Sequence, residues 1–423
     1  MTGRVPSVAL FVATALSIAL TAGFGLGLWL LLARVWGVTL FGANWLALVQ
    51  VHGLLQLFGF AGLFATGIGL HAIPRFRGAS APGPPLVFTI YALTLTGLAL
   101  RAIAQPTPDL PGRDAVLAIA GVLLIIGTSV FATTALRALA GGRNPHRADE
   151  LLMGAGIGAL PVAALLVALE MIGTTPVIVD QPTDDRALSV MLLGSLATMI
   201  FGVWARLAPG FIASAPPRPR PLIGGAVAWL LGIALFSVGV PAGVWLMLVG
   251  FALVTVAVGL FGPSIARQPI AGHARLTRIG VRSAFAWAFI GLAILGLESV
   301  GLVTSYLQIS AARHALGLGF VTLMIYAVAS RALPAFLGRR LWSDRLQVVT
   351  LTLANVGVAA RVGPQLLGAG GAASDALIGL SGLIAYAALA LFAVNVMRTV
   401  RGPSDPPPAQ GVAVPIEMRL GPR

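Results

Sequence analysis

The chain of 423 residues contains no cysteine. That excludes disulfides, thiolate metal sites, iron–sulfur clusters and covalent attachment of a cofactor through a CxxCH motif. It contains no lysine either, so all 27 basic side chains are arginine. Charge of any sign is scarce: 9% of residues are charged against 58% hydrophobic. A water-soluble protein of this length needs far more charge to cover its surface. Histidine is rare as well, with only five in the chain. P-loop, Rossmann glycine and hydrolase nucleophile motifs are missing.

Long apolar runs are abundant, and the mean hydropathy is +0.95. Each run holds roughly 20 apolar residues, enough to cross a hydrocarbon core of about 30 Å. The sequence predicts an all-α integral membrane protein with twelve transmembrane helices. They fall at about 7–33, 45–74, 84–103, 115–140, 150–176, 187–211, 221–241, 243–264, 281–305, 311–337, 346–367 and 375–398. The first run is too long for the apolar core of a signal peptide and lacks a cleavage site, so it reads as the first spanning helix.

The net charge of +14 and the pI of about 11.7 are not a nucleic-acid footprint. The arginines gather in alternate inter-helix loops, which is a topology signal. Arg75, Arg77, Arg137, Arg143, Arg147, Arg218, Arg220, Arg339, Arg340, Arg398 and Arg401 follow even-numbered helices, and Arg267, Arg275, Arg278 and Arg282 lie between helices 8 and 9. The opposite loops carry Asp109, Asp114, Asp180, Asp184, Asp185 and Asp375. The positive-inside rule then places both termini in the cytoplasm, in a bacterial-type inner membrane. One membrane domain is expected over 1–402, followed by a Pro-rich, disordered tail over 403–423.

The chain repeats itself. The helix 2 segment "HGLLQLFGFAGLFATGIGLHAIPRFRG" (52–78) aligns without gaps to "ARHALGLGFVTLMIYAVASRALPAFLG" (312–338). A third copy, "ALSVMLLGSLATMIFGVWARLAPGFIA" (187–213), keeps Gly194, Pro209 and Phe211 in register. The exit prolines Pro74, Pro209 and Pro334 therefore recur on helices 2, 6 and 10. The chain reads as three pseudo-repeats of four helices, at about 1–145, 146–272 and 273–402.

Two of the five histidines occupy matched places in this repeat. His52 precedes its exit proline by 22 residues and His314 by 20. At 1.5 Å per residue their depths differ by only about 3 Å. Two imidazoles at one depth on different helices can clamp a flat iron macrocycle from both faces, given small residues where the ring edge passes. Gly53, Gly59, Gly317 and Gly319 suit that need. A membrane histidine can also do no more than hydrogen-bond across a helix interface. His71, about 28 Å from His52 along the axis, is equivalent to Arg206 and Arg331 and reads as an interfacial anchor. His146 and His273 lie in arginine-rich loops and are expected to be solvated.

"HGLLQLFGFAGLFATGIGLHAIPRFRG" resembles helix 2 of subunit I of the haem-copper oxidases, which begins with His-Gly-Leu and ends with a proline and a glycine. "HALGLGFVTLMIYAVASRALPAFLG" resembles that family's helix 10, where the second histidine of an HxH pair ligates the low-spin haem and a proline follows twenty residues later. Among these relatives the chain looks most like the NnrS group, twelve-helix haem- and copper-containing membrane proteins tied to the nitric oxide response. The resemblance implies one non-covalent haem b with His52 and His314 as its axial iron ligands. It also implies Arg361 as a partner for the haem propionates, with Arg313 and, more weakly, Arg101 as other candidates.

The departures from that pattern are informative. Position 312, where the first histidine of the pair would stand, is Ala312, and helices 6 to 8 hold no histidine. The resemblance therefore does not extend to an oxygen- or nitric-oxide-reducing copper–haem centre, and the thin histidine complement counts against copper. Glu170 and Glu298 are the only acids inside apolar runs. Each is a candidate contact for protons or quinone, or the partner of an outer arginine. The readings that remain are a haem protein passing electrons to or from quinone or a periplasmic carrier, or responding to nitric oxide; a secondary transporter, whose repeats are usually twofold or inverted; and a haem-free scaffold of the same fold.

Overall fold

The computed structural model describes residues 7–37, 45–171, 178–263, 265, 272–368 and 371–402. The expected tail over 403–423 and the predicted end of helix 5 (172–176) lie outside the described residues. Twelve helices are present among those described: α1 Val8–Ala33, α2 Trp45–Arg77, α3 Pro84–Ala104, α4 Arg113–Gly141, α5 Asp149–Leu169, α6 Thr183–Ile212, α7 Pro219–Ser237, α8 Ala242–Ala257, α9 Gly272–Ser299, α10 Tyr306–Leu337, α11 Asp344–Leu366 and α12 Ala372–Arg401. Eleven are long and apolar enough to cross a membrane. The departure is α8, which the sequence extends over 243–264. Its helix ends at Ala257, and at 1.5 Å per residue it is only about 24 Å long. Another departure is α9, which starts nine residues before the predicted 281, draws Arg275 and Arg278 onto a helix and ends at Ser299 rather than 305, while α10 starts at Tyr306 rather than 311.

Consecutive helices pack side by side around the bundle, and α12 closes the ring against α1. Helices α2, α6 and α10 stand inside it. In the apolar 18-residue stretch of each, 72% of the residues are buried, against 28 to 56% in the other long spans. Large apolar side chains such as Phe88, Ile119, Val227 and Phe289 face outward and need lipid to cover them. Close packing is achieved with glycine. A Cβ at Gly250 on α8 would lie 2.5 Å from the Trp229 nitrogen of α7, and one at Gly97 on α3 would lie 2.8 Å from the Ala120 carbonyl of α4. Small residues at helix crossings let backbones approach without a hydrophobic driving force between helices.

The threefold repeat is written into the backbone. Each inner helix contains an eight-residue π-helical stretch: Leu55–Gly62, Val190–Ala197 and Ala315–Thr322. Each begins 19 residues before its exit proline (55 to 74, 190 to 209, 315 to 334), and the three stretches touch one another pairwise. The inner helices stop alike, at Gly78, Ala213 and Gly338 in left-handed conformation, with φ of 61°, 49° and 60°. Near that end a closed set of ring contacts runs round the three helices. The Arg206 guanidinium lies over Phe76 at 5.5 Å, that of Arg331 over Phe211 at 5.0 Å, and the His71 imidazole packs on Phe336 at 4.6 Å. All six residues are repeat equivalents, three residues before and two after each exit proline.

Several arginines do structural work beyond topology. Arg77 is 1% exposed. It donates to the carbonyls of Leu139 (2.8 Å), Gly142 (3.1 Å) and Asn144, which ties the end of α2 to the turn after α4. Arg206 is held by Asp149 at 2.7 Å and Glu150 at 2.8 Å. His273, expected to be solvated, instead pairs with Asp344 at 2.7 Å and Gln347 at 3.1 Å. His146 is 70% exposed and bonds Glu150 at 2.8 Å.

Candidate functional site

His52 and His314 each stand just before the π-helical stretch of their helix. Both are largely buried among the helices, and each keeps part of its surface accessible. They are within electrostatic range of one another, and the Arg361 guanidinium on α11 acts on both.

Each imidazole is oriented by a main-chain carbonyl. His52 Nδ1 donates to Gly23 of α1 at 2.9 Å, and His314 Nδ1 donates to Ser310, one turn earlier on its own helix, at 2.7 Å. A carbonyl can only accept, so Nδ1 carries the proton in each neutral ring and the lone pair lies on Nε2. Anchoring one ring nitrogen while presenting the other is the arrangement that orients metal-binding histidines.

The Gly23 carbonyl is available for a local reason. Residues Ala19–Gly23 are π-helical, and Gly23 has ψ of −105°, which swings its carbonyl out of the helical ladder. The neighbouring glycine seats the ring: a Cβ at Gly27 would lie 2.5 Å from His52 Cε1. The alternating glycines of "AGFGLGLW" were the available signal for this cradle, and reading α2 and α10 alone misses it. Gln56, one turn after His52, has a buried Oε1 without a hydrogen-bond partner.

The four glycines expected to face a ring edge divide. A Cβ at Gly317 would meet nothing within 4 Å, and one at Gly53 would meet only Leu188 Cδ1, at 3.3 Å. Gly59 and Gly319 instead admit neighbouring helices: a Cβ there would strike Ile18 at 2.8 Å or Trp287 at 2.6 Å. Their role is close packing of α2 on α1 and of α10 on α9.

The candidate arginines divide as well. Arg313 is paired with Asp185 of α6 at 2.6 Å, and Glu298 lies within electrostatic range of that pair. Arg101 is buried, bonded to Glu170 at 2.9 Å and to the Val167 carbonyl. The two membrane acids are thus matched with the arginines of the aspartate-rich side. Gln105 and Gln50 extend the Arg101 network to the main chain of Val179.

The interior between α6, α7, α8, α9 and α10 is filled differently. Phe201, Trp229, Phe251, Phe285 and Phe320 form one buried cluster with ring centroids 4.9 to 6.0 Å apart. Among the described residues no group of three or more metal-ligating side chains is placed to hold a metal ion.

Three inner helices within a ring of nine more form a bundle with the fold of haem-copper oxidase subunit I. A haem-copper terminal oxidase dimer solved by cryo-electron microscopy superposes with a TM-score of 0.68 at 11% identity, over 94% of this chain and 85% of that one. The family described as NnrS protein matches residues 9–403, and the chain belongs to it. Among curated proteins none matches.

Proposed function

We propose that this chain is a membrane haem protein in which His52 and His314 hold one non-covalent b-type haem as paired axial ligands. The observation that carries the reading is the pair of imidazoles on α2 and α10, each with Nδ1 fixed on a carbonyl and Nε2 left for iron. The residues around them suit such a group. Gly53 and Gly317 leave room for the ring edge, Gly27 permits the His52 pose, and the Arg361 guanidinium supplies positive charge for propionates. Arg361 is the arginine whose charge acts on both imidazoles, and we assign it that charge-balancing role.

Bound there, the haem would supply one-electron chemistry between its ferric and ferrous states. The protein's part is to hold both imidazoles neutral and correctly turned, to exclude lipid with the helices around them, and to balance charge. The aromatic filling between α6 and α10 favours electron transfer or a nitric oxide response over reduction at a copper–haem pair. We place the arginine-rich side and both termini in the cytoplasm of an inner membrane, with quinone or a periplasmic carrier as the electron partner.

A reduced-minus-oxidised visible spectrum of protein expressed with ample haem tests the reading, beside His52→Ala and His314→Ala. Sharp low-spin bands in the parent, lost from both variants, are expected. A colourless parent protein sinks the assignment and leaves a scaffold of the same fold.

A further inference from the structure

Between Asp185 and Glu298 the chain carries eight arginines and no acidic residue. In other parts of the bundle carboxylates neutralise the arginines beside them, as at Arg77, Arg101, Arg206 and Arg313. Among the described residues Arg278 and Arg282 of α9 have no such partner. They stand one turn apart on one face of the helix, and both reach toward the end of α8.

The shortness of α8 is the reason. It stops at Ala257, about 6 Å short of a hydrocarbon core of about 30 Å. Gly259, at φ of 60°, then turns the chain away and leaves the carbonyls beyond it outside the helical ladder. Arg282 donates to Leu260 through Nε at 2.9 Å and to Gly262 through Nη2 at 3.2 Å. Arg278 Nη2 donates to the same Gly262 oxygen at 2.6 Å. Two guanidinium groups therefore converge on one neutral acceptor. A carbonyl leaves both charges in full, and like charges this close repel. The Nη1 nitrogen of each arginine makes no hydrogen bond among the described residues, and neither Nη1 is buried.

The flanks of the pair are apolar. Phe261, with the Arg282 guanidinium 5.8 Å over its ring, is 60% exposed, and Ile279, between the two arginines in the chain, is 51% exposed. An occupant must bring negative charge to the two Nη1 groups and apolar chain to Phe261 and Ile279.

We propose that Arg278 and Arg282 bind the phosphate of one anionic phospholipid, whose acyl chains lie over Phe261 and Ile279 where α8 falls short. A guanidinium presents paired N–H groups to phosphate oxygens. A zwitterionic lipid carries its own cation beside the phosphate and gives back part of that gain. A free anion meets the arginines but leaves the apolar side chains uncovered. Basic pockets between spanning helices are suited to anionic headgroups.

The test is native mass spectrometry of delipidated full-length protein in detergent, titrated with dioleoyl phosphatidylglycerol or dioleoyl phosphatidylcholine. A basic residue beside an anionic headgroup is worth about fivefold in binding, so the first phosphatidylglycerol should bind at least about tenfold more tightly than the first phosphatidylcholine. Arg278→Gln combined with Arg282→Gln should reduce that preference below about threefold. Ile279→Glu should do the same, because it sets a carboxylate beside the pair and leaves the bonds to Leu260 and Gly262 in place. Arg137→Gln combined with Arg143→Gln, two exposed arginines at and just beyond the end of α4, should leave the preference unchanged. Equal binding of the two lipids, a preference that survives both changes on α9, or one that falls as far in the α4 pair overturns the proposal. So does displacement of the bound phosphatidylglycerol by millimolar inorganic phosphate.

Discussion

Gly27→Ala is the sharpest test of the histidine geometry, because it touches neither α2 nor α10. The new methyl carbon would lie 2.5 Å from His52 Cε1 and 3.1 Å from both ring nitrogens. Carbon atoms pack at about 3.5–4.0 Å, so the imidazole must retreat by about 1 Å. Its bond to the Gly23 carbonyl, now 2.9 Å, cannot survive that displacement. Loss of the bond removes about 1 kcal/mol, and a site held more than about 0.5 Å off its geometry loses its ligand function. Loss of an orienting partner costs a metal site roughly 10- to 100-fold in affinity. Haem affinity of Gly27→Ala, from titration of haem into apoprotein followed in the Soret region, should therefore fall at least tenfold. The low-spin bands should weaken, while circular dichroism shows an intact helical bundle. Unchanged affinity with unchanged bands would refute the claim that His52 acts in this pose.

Arg101→Gln leaves Glu170 buried without its cation. Breaking such a pair typically costs about 3–5 kcal/mol, so the thermal midpoint followed by circular dichroism should drop, and by more than in Glu170→Gln, which keeps a hydrogen-bond acceptor for Arg101. Ala213 ends α6 at φ of 49°, where its counterparts are Gly78 and Gly338. A left-handed non-glycine residue costs roughly 1–2 kcal/mol, so Ala213→Gly should raise stability by about 0.5–1 kcal/mol net of the added freedom of the unfolded chain; a lower midpoint would speak against it. Gly250→Val drives a side chain into the α7 backbone at Trp229. It should lower the monodisperse fraction in size-exclusion chromatography, whereas valine at Gly158, whose Cβ would meet nothing within 4 Å, should not.

Much of the architecture was legible because a bilayer imposes simple rules. Length and hydropathy set the spans, arginine placement sets their alternation, and the recurring Gly, Pro and Phe residues mark the three inner helices. Composition alone excluded thiolate chemistry, and it left helices 6 to 8 without a histidine. The matched positions of His52 and His314 along α2 and α10 were legible because position along a helix is a count of residues.

What surrounds them depended on contacts between segments far apart in the chain. That His52 bonds to Gly23 and rests on Gly27 required a π-helical stretch in α1 to turn a carbonyl outward, and no residue pattern in α2 encodes it. The same glycine type has opposite roles at Gly317 and Gly319, two residues apart, because one faces open space and the other faces Trp287. The ion pair of Arg313 joins it to Asp185, 128 residues away in the chain, and no local pattern around either residue announces it. An apolar cavity lined by α2, α6 and α10 is hidden for the same reason. It is a shortfall of volume summed over three helices, and a volume that no single segment contains is decided only when the tertiary structure brings them together.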